Sequence, residues 1–131
     1  MSTESSPPTT STAMLWIGRV LSALPVLLLL VSGVVKLFQP PDFLKEFAKF
    51  GYPENVAFTL GIVEIVCTLL YAIPRTSTLG AILLTGYLGG AIATHVRIGD
   101  PFIPQAIFGV VIWLGLWLRE PRLRAILPLR S

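Results

Sequence analysis

Residues 61–66 read GIVEIV and place a carboxylate, Glu64, in a run that is otherwise oil. Val56, Phe58 and Leu60 precede it, and Leu69, Leu70 and Ile73 follow. A charge at the centre of a membrane helix costs about 2.5–3.5 kcal/mol on the insertion scale, while each Val, Ile, Leu or Phe contributes about 0.3–0.6 kcal/mol in favour. With about ten such residues around Glu64 the sum favours insertion only narrowly, so the acid depends on neighbouring helices. Ionisable residues at that depth face a bundle interior or a water-filled cavity. Spacing of i, i+3 and i+4 gathers Ala57, Gly61, Glu64, Thr68 and Tyr71 on one small, polar face, which is expected to point inward.

Two other segments offer partners for the acid. Ser22, Pro25, Leu29, Ser32, Gly33 and Lys36 form a comparable stripe upstream, and Gly86, Gly90 and Thr94 form a small-xxx-small ridge downstream with His95 beside it. Lys36 is expected to be the charge partner of Glu64, with His95 as a hydrogen-bond or proton-transfer group. Ser32 and Thr68 complete the polar pocket, Arg97 and Asp100 shape its mouth, and Gly33, Gly61, Gly86 and Gly90 serve helix packing. Plainer readings exist: Lys36 snorkels to the headgroups, and His95 is a packing residue near the interface. An acid beside Lys⁺ stays ionised and suits a polar headgroup or a quinone carbonyl; an acid left alone takes up a proton and suits proton exchange. The sequence leaves both open. It contains no phosphate loop, nucleophile motif or HExxH pattern, and its single His argues against a self-contained haem or zinc site, so no metal and no covalently bound cofactor is expected. One cysteine, Cys67, excludes an intrachain disulfide or a CxxC pair.

These residues need spanning elements to bring them together. The 131 residues are 53% hydrophobic and only 13% charged, about half the charge of an ordinary soluble domain. A net charge of +3, scattered along the chain, is no nucleic-acid footprint. Four apolar segments, at about 14–38, 56–73, 79–96 and 102–118, are separated by QPP, Pro74-Arg75 and RIGDP, and each is long enough to cross a bilayer. They are apolar nearly all round, which a soluble bundle helix is not. Between the first two, Phe43, Leu44, Phe47 and Phe50 recur near helical spacing and alternate with charges, predicting a short amphipathic helix in the membrane interface. The expected fold is therefore all-α: a polytopic four-transmembrane-helix bundle over 14–120. A disordered polar tail, 1–13, precedes it and a basic tail, 121–131, follows. Arg19, Arg75, Arg119, Arg122, Arg124 and Arg130 gather on the side of the termini, against Lys36, Lys45, Lys49 and Arg97 opposite, which favours cytoplasmic termini.

The stretches SGVVKLFQPPDFLKEFAKFGYPE and GIVEIVCTLLYAIPRTSTLGAILLTGYLGGAIATHVRIGDP resemble the DoxX-like family of small four-helix integral membrane proteins. The matching elements are Ser32-Gly33 with Lys36-Leu37, Gly61 with Glu64, Gly89-Gly90-Ala91, and residues 94–101. The resemblance implies a four-helix membrane fold. Through the family's namesake, a membrane subunit of a thiosulfate:quinone oxidoreductase, it also implies a link to membrane redox complexes. The leading expectation is an inner-membrane protein whose polar pocket takes a quinone-like or amphiphilic ligand, as a subunit beside redox-complex subunits. Alternatives are a small proton-coupled transporter acting as a dimer, the simplest homo-oligomer, and a membrane assembly or scaffold factor without ligand.

Overall fold

The computed structural model describes residues 10–128, and among them helices alternate with short turns and no strand occurs. In chain order the helices are α1 (Thr12–Phe38), α2 (Pro41–Ala48), α3 (Glu54–Ala72), α4 (Ser77–Arg97), α5 (Ile103–Arg119) and α6 (Pro121–Arg124), with a 3₁₀ turn at Pro74–Thr76. The polar tail expected over 1–13 falls mostly on residues 1–9, outside the described residues, and the end of the basic tail, 129–131, lies outside them too. Helix α1 already begins at Thr12, because the Ser11 hydroxyl accepts the Met14 N–H at 3.1 Å and caps the first turn.

Local chemistry sets the ends that matter for the site. Gln39 adopts a left-handed φ of 54° and returns its N–H to the Val35 carbonyl at 2.8 Å, stopping α1 three residues beyond Lys36. Pro40 and Pro41 then bar continuation, and Pro41 presets the first turn of α2. Gly51, at φ 81°, turns the chain back toward α3. At the other end of α3, the Thr76 hydroxyl donates to the Leu70 carbonyl and Ser77 to that of Tyr71, each at 2.7 Å, so two orphan carbonyls are satisfied inside a tight turn.

The four long helices form a ring: α1 packs on α3 and α5, α4 packs on the same two, and α2 leans on α3. Backbones meet closely at three crossings. A Cβ on Gly18 would lie 2.8 Å from the Gly115 carbonyl oxygen, one on Gly61 would lie 2.9 Å from that of Gly33, and one on Gly80 would collide with the Tyr71 backbone. A few polar side chains are buried within a mostly apolar core, and the outer faces are apolar as well. Ser22, Glu64, Thr68 and Ser77 are buried, while Leu27, Val31, Phe58, Ile82, Ile107 and Val110 lie exposed on the outer faces. Three helices are long and apolar enough to cross a membrane, and α5, with 17 residues, is a shorter apolar helix. Helices apolar on their outer faces, with their few polar groups turned inward, belong in lipid. The chain is a membrane protein.

Candidate functional site

Glu64 stands ten residues after the start of α3, about 15 Å along the helix, and is 1% exposed. Its Oε1 accepts Lys36 Nζ at 2.9 Å and the Tyr87 hydroxyl at 2.7 Å. Lys36 also donates to Ser32 Oγ, one turn back on α1, at 2.8 Å. Two of the three ammonium protons are thereby used. Glu64 Oε2 has no protein partner among the described residues. The close Gly33–Gly61 crossing makes the pair possible: a Cβ on Gly61 would lie 2.9 Å from Lys36 Cβ, so only glycine lets the lysine stem descend beside α3. Position in the last turn of α1 also places the ammonium near the negative end of that helix.

The pair forms part of the wall of a cavity of about 570 Å³ enclosed by α1, α3, α4 and α5. Leu28, Leu60, Leu88 and Phe108 supply apolar wall, while Gly86 and Gly90 leave room on the α4 side. Aromatic rings close one end. Phe47 of α2 is 3% exposed and stacks on Phe43 with ring centroids 5.5 Å apart; Phe50 meets Phe47 edge-on at 5.8 Å and tilts against His95 at 5.1 Å. This cap is fastened to the end of α4. The Tyr52 hydroxyl bonds Thr94 Oγ1 at 3.0 Å, and Arg97 donates to the Phe50 carbonyl while its guanidinium lies over the Tyr52 ring. His95 Nδ1 lies 2.7 Å from the Ala91 carbonyl, which can only accept, so Nδ1 carries the proton there and Nε2 faces Gln105 Nε2 at 3.5 Å. Gln105 Oε1 is buried with no partner.

Glu64, Lys36, Ser32 and His95 thus share one cavity, with His95 bonded to its own helix and to Gln105 and not to the acid. Thr68 is elsewhere. It is fully buried and donates to the Glu64 carbonyl at 2.6 Å, so it satisfies its own helix and does not line the cavity. Neither residue expected at the mouth forms cavity wall: Arg97 fastens the aromatic cap through Phe50 and Tyr52, and Asp100 lies in the turn after α4 with its N–H on the His95 carbonyl. Gly33 and Gly61 pack helices as expected from their sizes. Gly86 and Gly90 do not: a Cβ on either would meet no atom within 4 Å, because both border the cavity. Two wall residues escaped the sequence reading. Tyr87 precedes His95 by eight residues, two helical turns, which marks it as sharing that inward face; Gln105 is the one amide in the first turn of α5.

In this arrangement a charged pair is presented at the edge of an apolar chamber, with hydrogen-bond donors at Lys36 and Gln105, an acceptor at Glu64, and the Tyr87 proton already spent on Glu64. No group of three or more His, Cys, Asp or Glu capable of holding a metal ion occurs among the described residues. The matched family model is the DoxX-like family, over residues 20–118, which runs from the third turn of α1 to the last turn of α5 and includes every residue of the pair and its cavity. No curated protein and no solved structure gives a match. The chain belongs to the DoxX-like family, as a membrane protein built from transmembrane helices.

Proposed function

We propose that the Glu64–Lys36 cavity binds an amphiphilic, quinone-like molecule, and that the protein serves as a ligand-holding subunit beside a membrane redox complex. In this reading all four long helices span the inner membrane, α2 lies in the interface over the cavity mouth, and both termini are cytoplasmic. The observation that carries it is a buried ion pair forming the wall of a mostly apolar cavity, with Glu64 Oε1 taken by Lys36 and Tyr87 and Oε2 left without a protein partner. A pair serving only to lock two helices needs no empty chamber beside it. The volume of about 570 Å³ lies within the roughly 300–1,000 Å³ of small-molecule sites.

The donor and acceptor set fits a quinone head. Carbonyl oxygens find donors in Lys36 and the Gln105 amide, and a hydroxyl of the reduced form finds an acceptor in Glu64 Oε2. A bound quinone supplies two-electron, two-proton redox capacity; the protein's residues orient the ring, exclude water with the aromatic cap and hold protons at Glu64 and His95. Thermal unfolding of the detergent-purified protein with a panel of short-chain ubiquinone and menaquinone analogues tests this. At least one analogue is expected to raise the melting temperature of the wild type, and Glu64→Gln is expected to abolish that rise. An identical ligand-induced rise in Glu64→Gln would remove the acid from the site.

A further inference from the structure

At the end of the bundle remote from Glu64, a second cavity of about 480 Å³ opens between α1, the α3–α4 turn and α5. Arg19 and Arg119 line it, together with the hydroxyls of Ser22, Ser77 and Thr78. Arg119 is half-buried and held in a fixed orientation. Its Nε donates to Ser22 Oγ at 2.9 Å, its Nη1 to Ser77 Oγ at 3.3 Å, and its guanidinium carbon stands 5.1 Å from the centre of the Tyr71 ring. All three partners are neutral. The ion pairs among the described residues are Lys36–Glu64 and Lys49–Glu46, so neither Arg119 nor Arg19 has a carboxylate within 4 Å, although Glu120 lines the same cavity. Arg19 lies over the Trp16 ring at 4.9 Å.

A half-buried guanidinium held by hydroxyls and a ring is oriented without being neutralised, and burial without a counter-charge is costly. Two arginines against one unpaired carboxylate leave the cavity net positive, and α4 begins at Ser77 on its wall, adding the positive end of a helix. We propose that this cavity is a binding site for a phosphate-bearing anion, with Arg119 and Arg19 as its charged contacts. Its depth suits a phospholipid headgroup. A Cβ on Gly18 would lie 3.0 Å from the Arg119 N, so both arginines stand where α5 ends, and the first residues of α1 continue past them. Leu15, Val26 and Leu116 on the same walls offer apolar surface to an acyl chain. A soluble phosphate compound has the same chemistry at its charged end and would reach the cavity from the aqueous side.

Melting-temperature titrations in phosphatidylcholine–detergent micelles, with phosphatidylglycerol in one arm and inorganic phosphate in the other, decide the matter. Phosphatidylglycerol is expected to stabilise the wild type at concentrations where added phosphatidylcholine does not. Arg19→Gln, which disturbs only the stacking on Trp16, is expected to shift the titration midpoint about tenfold, the effect of one charge-assisted contact. Arg119→Lys keeps the charge but loses the planar fork and is expected to shift it in the same direction, so the test stands even if Arg119→Gln does not fold. Arg75→Gln removes an exposed charge from the 3₁₀ turn at the same end and is expected to leave the midpoint unchanged. Stabilisation by inorganic phosphate that Arg19→Gln weakens assigns the site to a soluble phosphate compound. Absence of stabilisation in both arms, or an equal shift in Arg75→Gln and Arg19→Gln, overturns the site. None of these outcomes depends on the quinone reading of the Glu64 cavity.

Discussion

The two halves of the bundle use the same residue types to opposite ends. Around Tyr71 the helices are drawn shut: Gly18 and Gly115 bring α1 against α5, and Gly80 brings α4 against α3. The fully buried Tyr71 ring fills the centre, its hydroxyl bonding Ser22 at 3.0 Å and the Ile112 carbonyl at 2.7 Å. Around Glu64 only the α1–α3 seam is tight, at Gly33 and Gly61, while Gly86 and Gly90 of α4 border empty space. A glycine closes an interface when a backbone faces it and opens a chamber when none does. The half around Tyr71 is held by close backbone crossings together with hydroxyl, ring and Arg119 contacts, whereas the half around Glu64 depends on one ion pair.

Breaking that ion pair has the largest expected effect. Lys36→Met leaves Glu64 buried beside only the Tyr87 hydroxyl and should cost about 3–5 kcal/mol in reversible unfolding from detergent; pairing it with Glu64→Leu should restore most of the loss, because an apolar pair carries no desolvation penalty. Next comes the closed half. Gly80→Ala drives a methyl into the Tyr71 backbone and should cost about 1–3 kcal/mol by the same measurement. Tyr71→Phe removes the buried hydrogen bonds of its hydroxyl to Ser22 and to the Ile112 carbonyl and should cost about 0.5–1.5 kcal/mol. The smallest effect belongs to the open half. Gly90→Ala adds the same methyl as Gly80→Ala but into open space, and should change stability by no more than about 0.5 kcal/mol. Equal losses from the two alanines would erase the distinction between the halves.

Much of the fold was legible because its signals are local. Proline, glycine and charge punctuate the apolar runs, and the four long helices begin and end within two residues of the segments read from hydropathy. The inward faces were legible too: the stripe through Ser22, Pro25, Leu29 and Gly33 is buried in α1, as are Ala57, Gly61, Glu64, Thr68 and Tyr71 in α3. What opposes each face is a non-local fact. Nothing in residues 86–90 distinguishes a packing ridge from a cavity wall, since that depends on what stands opposite. Arg119 reads as an ordinary charge at a span's end, and only the rotation of α5 turns it onto Tyr71 and Ser22. Tyr87 carried a usable signal, two turns from His95, that an emphasis on charges and small residues passed over.

The central claim, that the open half is a ligand chamber, is tested most directly by native mass spectrometry of the full chain released from quinone-containing nanodiscs, comparing wild type with Gly90→Leu. The leucine side chain would project into the chamber without touching the closed half. A quinone-mass adduct on the wild type, lost in a folded Gly90→Leu, is the predicted result. An adduct of equal abundance on both proteins, or none on the wild type, would contradict it.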